Sequence, residues 1–345
     1  MPKSFKPVLG AGASRAVRRL FAVIAIAALV YALRHVADIR AVSAMIRRAH
    51  PLWFGVALAL QASTYCWLAL GWSAVLRRAK SPQPVRRLIP IAVTKLFADQ
   101  VVPSAGMGGN VVLVDRLMAI GVPRGAAVAA LLVSMIGFYA AYAVLALAML
   151  LVLWLHDHAT PLLAGLTTAL LLVALAIPAL ALWLRQRGAD PLPPRLERIA
   201  AVRTLLDAMS EAPRFLVADR RLIAGVTAWN ALIFLTDAAT LVMCHWAIGA
   251  APSYGTAFVA FMAASIVVTL GPIPLGLGTF EATSVAMLHM LGVPVATALG
   301  ATLLLRSLTL WLPLIPGLVL MRGAMKRPAR RGGTATAPGS RDGPP

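Results

Sequence analysis

The sequence is poor in charge, in acidic residues above all, and in cysteine. Of its 345 residues 13% are charged and 60% hydrophobic, which is too little polar surface to cover soluble domains of this size. The two cysteines, Cys66 and Cys244, both lie in apolar segments, so neither a disulfide framework nor a metal site is predicted. The sequence contains no nucleotide-binding glycine loop, Cys/His cluster or serine nucleophile elbow, and we expect no cofactor, no metal and no catalytic residue.

Long apolar runs are what the sequence does contain. A helix needs about 20 apolar residues to cross roughly 30 Å of hydrocarbon. Runs of suitable length lie at 20–37, 51–76, 125–155, 161–184, 222–248 and 293–321. The pattern therefore predicts an all-α polytopic membrane protein with six full transmembrane spans. The first run follows a basic segment and lacks a convincing cleavage site, so we interpret it as an uncleaved anchor.

Two further apolar stretches, 88–121 and 255–292, are each broken in the middle by proline and glycine. The breaks read VVPSAGMGGN and GPIPLGLGTFE. The return limbs, 110–121 and 281–292, would be about 18 Å long as helices, too short to cross alone. We therefore predict two re-entrant helical hairpins, with two crossings through a thinned region as the alternative. The predicted turns contain Pro103, Gly106, Gly108, Gly109, Pro274, Gly276 and Gly278.

The formal net charge of +20 is carried mostly between the apolar runs, so anionic headgroups rather than nucleic acid are the expected partners. Segments 1–19, 77–87, 185–221 and 322–345 together hold 24 lysines and arginines, whereas the loops on the other side hold three: Arg40, Arg47 and Arg48. The positive-inside rule then predicts that both termini lie in the cytoplasm. We expect the protein to reside in a bacterial cytoplasmic (inner) membrane.

This topology divides the chain into three parts. We expect a cytoplasmic basic N-terminus at 1–19, a transmembrane domain at 20–321 and a disordered basic tail at 322–345. Within the domain, 195–209 has an apolar and a charged helical face and is predicted to lie along the cytoplasmic headgroup layer.

The chain also contains an internal repeat. A shift of 171 residues superposes Pro103 on Pro274 and the Gly-Val-Pro of 121–123 on that of 292–294, with 9 identities in the 31 positions from 103 to 133. The copies span about 51–155 and 222–321. Because the loop charges make the two hairpins enter from opposite sides, we predict an inverted-topology repeat, an arrangement in which transporters build a site near the midplane.

Six polar residues inside the apolar segments are predicted to line a substrate path, because charge in hydrocarbon requires a partner or a wet cavity. Lys95 and Asp99 lie one turn apart, either as a structural ion pair or as a charge pair along the path of a headgroup. Asn110 and Glu281 begin the return limbs. One interpretation is that Asn110 caps its helix and Glu281 stabilises the dipole of the other. A second is that the glycine turns beside them hold a phosphate, and a third is that Glu281 instead binds an ammonium group or a proton.

The remaining two are Asp237 and Arg306. Asp237 has no neighbouring cation in sequence, so it is either protonated or paired across helices. Arg306 is the cation to test as the partner of Asp237 or of Glu281, and an arginine can also fork onto a phosphate.

The broken turn, the short limb and Gly-Val-Pro, repeated as PIPLGLGTFE and LGVPVATALGATLLLR, resemble the lysylphosphatidylglycerol synthase transmembrane-region family over about residues 15–321. The second copy carries the more specific match: Pro274, Gly276, Gly278, Glu281, Gly292, Pro294, Ala298 and Arg306. The first copy has Asn110 where the resemblance leads us to expect a glutamate. The resemblance implies a lipid-translocating module, here a stand-alone member without the soluble aminoacyl-transferase domain, because only 24 residues follow Met321.

We therefore expect a flippase-like protein that moves a polar-headed phospholipid, anionic or aminoacylated, between leaflets. One alternative is a membrane-embedded enzyme that modifies a lipid headgroup, with Glu281 and Asp99 as acid and base. The other is a non-catalytic scaffold subunit of a lipid-synthesis complex. Assembly into homo-oligomers or with lipid-synthesis enzymes is left open by the sequence.

Overall fold

The computed structural model describes residue 47, residues 49–101, 107–155, 213–270 and 276–325, and six residues between 165 and 172. Every regular element in these parts of the chain is a helix. The helices are α1 (Pro51–Arg78), α2 (Val85–Val101), α3 (Met107–Ala119), α4 (Arg124–Leu155), α5 (Arg214–Ala218), α6 (Arg220–Ala247), α7 (Tyr254–Leu270), α8 (Thr279–Met290) and α9 (Val295–Met325).

Four of these helices, α1, α4, α6 and α9, are long and apolar enough to cross a membrane. They coincide with four of the predicted runs, and their ends differ from the prediction by a few residues. The chain is thus an all-helical multi-pass membrane protein. The predicted spans at 20–37 and 161–184 lie outside the described residues except for a few helical positions, as does 195–209. Since α9 continues to Met325, the first four residues assigned to the tail are helical.

The two broken stretches form two pairs of short helices. Helices α2 and α3 have 17 and 13 residues, and α7 and α8 have 17 and 12. The longest of these is about 26 Å, less than the hydrocarbon thickness. Within each pair the two helices pack against each other. Pro103, Gly106 and Pro274, predicted at the two breaks, lie outside the described residues.

The helix order repeats with the spacing found in the sequence. Adding 171 to the bounds of α1, α2, α3 and α4 gives the bounds of α6, α7, α8 and α9 to within two residues. The packing repeats as well: α2 contacts α9 while α7 contacts α4, and α1 contacts α4 while α6 contacts α9. The helices within each copy therefore pack in the same way. The contact of the first-copy helix α2 with the second copy also has an equivalent contact in the other direction.

The Gly-Val-Pro motif ends the return limb in the same way in both copies. Gly121 and Gly292 have φ of 89° and 91°, a conformation that side chains other than glycine seldom adopt. In each copy the glycine N–H donates to the carbonyl three residues back, and the valine N–H donates to the carbonyl five residues back. This hydrogen-bonded helix end, followed by a proline, redirects the chain into α4 and into α9.

Helices α1 and α6, which are equivalent in the repeat, are antiparallel. Arg78 at the end of α1 pairs with Asp219 at the start of α6, with Nε and Oδ2 2.8 Å apart. At the opposite end, the His50 N–H donates to Ala247 O at 2.6 Å. Asp219 also caps α6 by accepting the N–H groups of its first turn. The Arg78 hydrogen bond, together with these N–H groups, holds the pKa of Asp219 below its usual range.

The two ends of the α1–α6 pair differ in composition. The cation end carries the basic residues of 77–87 and 220–221. The tryptophan end carries Trp53 and Trp246, whose rings meet edge to face with centroids 4.6 Å apart. Basic residues at one end and tryptophans at the other are typical of a helix pair that crosses a bilayer.

Two clusters of buried residues follow the two copies. One lies among α1, α2, α3 and the first half of α4 and includes Trp72, whose indole donates to Ser134 Oγ at 3.3 Å. The other lies among α6, α7, α8, α9 and the second half of α4 and includes Tyr142. Because α4 belongs to both clusters, it joins the two copies.

The α1–α6 pair generates a test of membrane topology. Ser81, at the cation end, and Ser253, at the tryptophan end, are each replaced by cysteine in a Cys66→Ser/Cys244→Ser background. Both native cysteines are free, so no disulfide is lost. A membrane-impermeant maleimide should label Ser81→Cys only from the cytoplasmic face and Ser253→Cys only from the other. A permeant maleimide should label both, and the background protein should not react. Labelling of both sites from one face would contradict this topology.

Candidate functional site

The first broken turn is closed by an ion pair and a backbone hydrogen bond. Lys95 Nζ lies 2.7 Å from Asp99 Oδ2, one helical turn further along α2. The other carboxylate oxygen of Asp99 accepts the N–H of Gly109 at 3.0 Å. Gly109 lies in the first turn of α3, where backbone N–H groups have no partner within the helix. Asp99 thus ties the end of the incoming limb to the start of the return limb.

Gly109 is required for this approach. A methyl group on its Cα would overlap the carboxylate of Asp99 and come within 2.6 Å of the Lys95 carbonyl oxygen. Any larger residue would therefore push α3 away from α2 or displace Asp99. This close backbone contact explains the glycine at the start of α3.

The second broken turn is closed by the same kinds of contact. Arg306 Nε, on α9, lies 2.8 Å from Glu281 Oε1, and Glu281 Oε2 accepts the N–H of Gly278 at 2.7 Å. Gly278 has φ of 82° and precedes the first residue of α8. The Arg306 guanidinium also lies over the ring of Phe280, 5.0 Å from its centroid.

The two turns use different residues for equivalent contacts. In each, a carboxylate joins a cation to a backbone N–H at the start of the return limb. Asn110, which the sequence register equates with Glu281, instead directs Nδ2 towards Met135 Sδ at 3.9 Å. The carboxylate of the first turn comes from Asp99 on the incoming limb, where sequence register alone does not predict it.

Both turns lie against the middle of α9. Gln100, beside Asp99, donates from Nε2 to Thr309 O at 3.1 Å, and Arg306 lies one turn earlier on the same helix. The end of α7 is held similarly, because Thr269 Oγ1 lies 3.1 Å from Tyr142 Oη, near the middle of α4. The helix breaks thus lie at the depth of the central turns of two candidate spans.

Asp237 lies apart from these two turns. Gln61 Nε2, on α1, donates to Asp237 Oδ1 at 3.2 Å. Arg306, considered in the sequence as a partner for either acid, pairs with Glu281. Among the described residues, no cation is within ion-pair distance of Asp237. Five of the six predicted path residues therefore form two carboxylate–cation turns and a separate carboxyl–amide contact, and Asn110 belongs to none of these.

The comparison with known families, like the helix pattern, indicates a membrane protein. The family model described as the lysylphosphatidylglycerol synthase TM region matches residues 19–317, a range that contains both turns and Asp237. The chain belongs to this family. No curated protein matches the chain.

Three contacts of this lysylphosphatidylglycerol synthase TM-region protein involve residues that the sequence patterns do not single out: Gln61, Gln100 and Phe280. The partner of each of these residues lies on another helix or is of a residue type that the spacing of residues in the sequence does not identify. A glutamine within an apolar run was the available signal for Gln61 and Gln100, because an amide in hydrocarbon must find hydrogen-bond partners. Phe280 looks like an ordinary core residue in sequence and gave no such signal.

The Gly109 contact generates a stability prediction. Gly109→Ala should lower the thermal unfolding temperature of the purified protein, because overpacking of a tight contact costs about 1–3 kcal/mol. Gly55→Ala on α1 is the matched control, since a methyl group at Gly55 would meet nothing within 4 Å. Unfolding is followed by tryptophan fluorescence in detergent. Equal unfolding temperatures for the two variants would show that Gly109 does not need its close contact with Asp99.

Proposed function

We propose that this protein moves anionic phospholipids between the leaflets of the bacterial cytoplasmic membrane, as a flippase and not as an enzyme. One observation carries the proposal: at each broken turn a carboxylate accepts a hydrogen bond from a backbone N–H and also forms an ion pair with a cation. These donor groups are the ones that bind a phosphate oxyanion at helix N-termini and at arginine sites. In the absence of lipid, Asp99 and Glu281 would occupy the positions that the phosphate oxygens of a bound headgroup take.

An inverted repeat with two re-entrant hairpins is the architecture that we infer for this function. Three features of the fold support it. The equivalent helices α1 and α6 are antiparallel, the limb helices are too short to cross alone, and both turns contact the middle of α9. Opposed broken helices meeting at mid-membrane depth form the kind of site that transporters use. The cation end would face the cytoplasm.

Exchange of one anion for another accounts for the energetics of binding. Removing one partner of a buried ion pair costs about 3–5 kcal/mol, so an uncompensated opening of either turn would be rare. A phosphate that takes over the cation and the glycine N–H replaces both contacts of the carboxylate. The carboxylate, which is about one-fifth exposed in each turn, can then turn towards water. The turns would thus open when a charged headgroup is present and close when it leaves.

An aminoacylated headgroup is the second substrate class to consider. Its ammonium group would pair with Asp99 or Glu281 in place of Lys95 or Arg306. Gln100 Oε1, next to Asp99, is buried and makes no hydrogen bond with the described residues, so it could accept an ammonium N–H. The phosphate route uses both cations and both glycine N–H groups, whereas the ammonium route uses only the two carboxylates and separates them from Lys95 and Arg306. We therefore favour the anionic substrate.

Leaflet exchange in liposomes tests the proposal. Purified protein is reconstituted with fluorescent phosphatidylglycerol, its lysyl ester or phosphatidylcholine, and exchange is measured by quenching from outside. Phosphatidylglycerol should exchange fastest. Arg306→Ala should slow its exchange by about tenfold or more, because a charge-assisted hydrogen bond contributes about 1.5–3 kcal/mol. Arg77→Ala, which removes an exposed cation, should behave like the wild type.

The same liposomes distinguish the alternatives. Mass spectrometry of the lipids should find unchanged headgroups. A chemically changed headgroup would contradict the flippase and favour the enzyme. Absence of both exchange and chemical change would favour the scaffold. Faster exchange of the lysyl ester than of phosphatidylglycerol would assign the carboxylates, and not the cations, to substrate binding.

A further inference from the structure

A second polar cluster lies between α1 and α6, and the two glycine turns do not use it. It consists of Gln61 and Tyr65, one turn apart on α1, and Asp237 on α6. Asp237 lies ten residues before the end of α6, about 15 Å from the tryptophan end at 1.5 Å per residue. This position is well inside the predicted hydrocarbon layer.

The cluster has unsatisfied hydrogen-bonding capacity. Gln61 and Tyr65 are each only 6% exposed. Gln61 Oε1 and the Tyr65 hydroxyl make no hydrogen bond within the described part of the chain. Asp237 accepts one hydrogen bond, from Gln61, and is itself partly exposed. The cluster thus combines two buried oxygens that make no hydrogen bond within the described residues with a partly exposed carboxyl group.

The neighbouring helices bring no cation to Asp237. Helices α1, α4, α7 and α9 pack against α6. Tyr65 of α1 lies one turn from Gln61, whose amide contacts Asp237. Arg306 of α9 is bonded to Glu281. The arginines described at the ends of these helices are Arg77, Arg78, Arg124, Arg220 and Arg221, and the nearest of them to Asp237 in sequence, Arg221, lies 16 residues before it on α6. The remaining ionisable side chains described on α6 and these four helices are Cys66, Tyr139, Tyr142, Cys244, His245 and Tyr254.

We infer that Asp237 binds and releases a proton in each transport cycle and so couples lipid movement to a proton gradient. The inference rests on the proposed function. A carboxylate in hydrocarbon needs a counter-charge, and a proton is the one that fits without a further ligand. Protonated, Asp237 can donate to Gln61 Oε1, which makes no hydrogen bond within the described residues. Deprotonated, it accepts from the Gln61 amide. Both states are therefore hydrogen-bonded, which is what a reversible proton site requires.

His245 is a further polar group with an unused hydrogen-bonding atom, between this cluster and the tryptophan end. It lies two turns beyond Asp237, on the same face of α6, and is fully buried. Its Nδ1 lies 2.8 Å from Leu241 O, while Nε2 has no hydrogen-bond partner in the described residues. With Nδ1 donating to the carbonyl, Nε2 is an acceptor for a proton that enters from that end.

Proton-coupled exchange in liposomes tests the inference. Phosphatidylglycerol exchange is measured with and without an imposed pH gradient, with a pH-sensitive dye in the lumen. In the wild type the gradient should change the exchange rate, and exchange should move protons. Asp237→Asn should lose both effects, and Asp237→Glu should retain them. Asp115→Asn, at an exposed carboxyl on α3, is the matched control and should behave like the wild type.

A second measurement detects the proton without transport. Infrared difference spectra of the detergent-solubilised wild type between low and high pH should contain the carbonyl band of a protonated carboxylic acid. The band should persist in Asp115→Asn, shift in Asp237→Glu and be absent in Asp237→Asn. A band that Asp237→Glu leaves unshifted would overturn the inference even if Asp237→Asn does not fold. A wild-type response to a sodium gradient at constant pH, with none to protons, would also overturn it.

The two proposals can fail separately. Lipid exchange that does not respond to the pH gradient would contradict the proton site but not the flippase. An infrared band assigned to Asp237, in a protein that moves no lipid, would support the proton site and contradict the flippase.

Discussion

The structure depends on how two partly buried carboxylates satisfy the backbone where a membrane helix is broken. A break exposes N–H groups that hydrocarbon cannot hydrogen-bond, and each unsatisfied group is costly. Asp99 and Glu281 accept such an N–H at their respective turns, and each brings a cation that offsets its own charge. The glycines, the short limbs and the contacts with α9 all serve to place these two carboxylates.

The two copies have the same backbone plan and different chemistry. Their helix bounds, helix ends and packing correspond, whereas one turn uses a lysine within the incoming limb and the other an arginine from the following span. Lysine presents a compact charge, and arginine presents a planar fork that also stacks on Phe280. The two turns would therefore bind a headgroup with unequal affinity. Unequal affinities favour transfer of the headgroup from one turn to the other over equally tight binding at both.

Much of this fold could be predicted from the sequence, because hydropathy and helical spacing are local properties. The four long helices, the breaks, the Gly-Val-Pro ends and the Lys95–Asp99 pair all follow from patterns within a few turns. Among the contacts across helices, the pairing of Arg306 with Glu281 was one of two alternatives that the sequence offered, and the others did not follow. Gln61 and Asp237 are 176 residues apart in sequence. Asn110 was matched to Glu281 by register alone, while the carboxylate comes from α2, where the backbone of Gly109 approaches closely enough to be bound.

The affinity of the second turn for an anionic headgroup tests the central claim most directly. Binding of a short-chain phosphatidylglycerol is measured by calorimetry for the wild type, Glu281→Gln and Arg306→Ala. If Glu281 holds the place of the phosphate, Glu281→Gln should bind more tightly than the wild type, because the internal competitor has lost its charge while Gln still accepts the Gly278 N–H. Arg306→Ala should bind more weakly. Loss of affinity in Glu281→Gln as large as that in Arg306→Ala would contradict the account and assign the carboxylate a direct contact with the lipid.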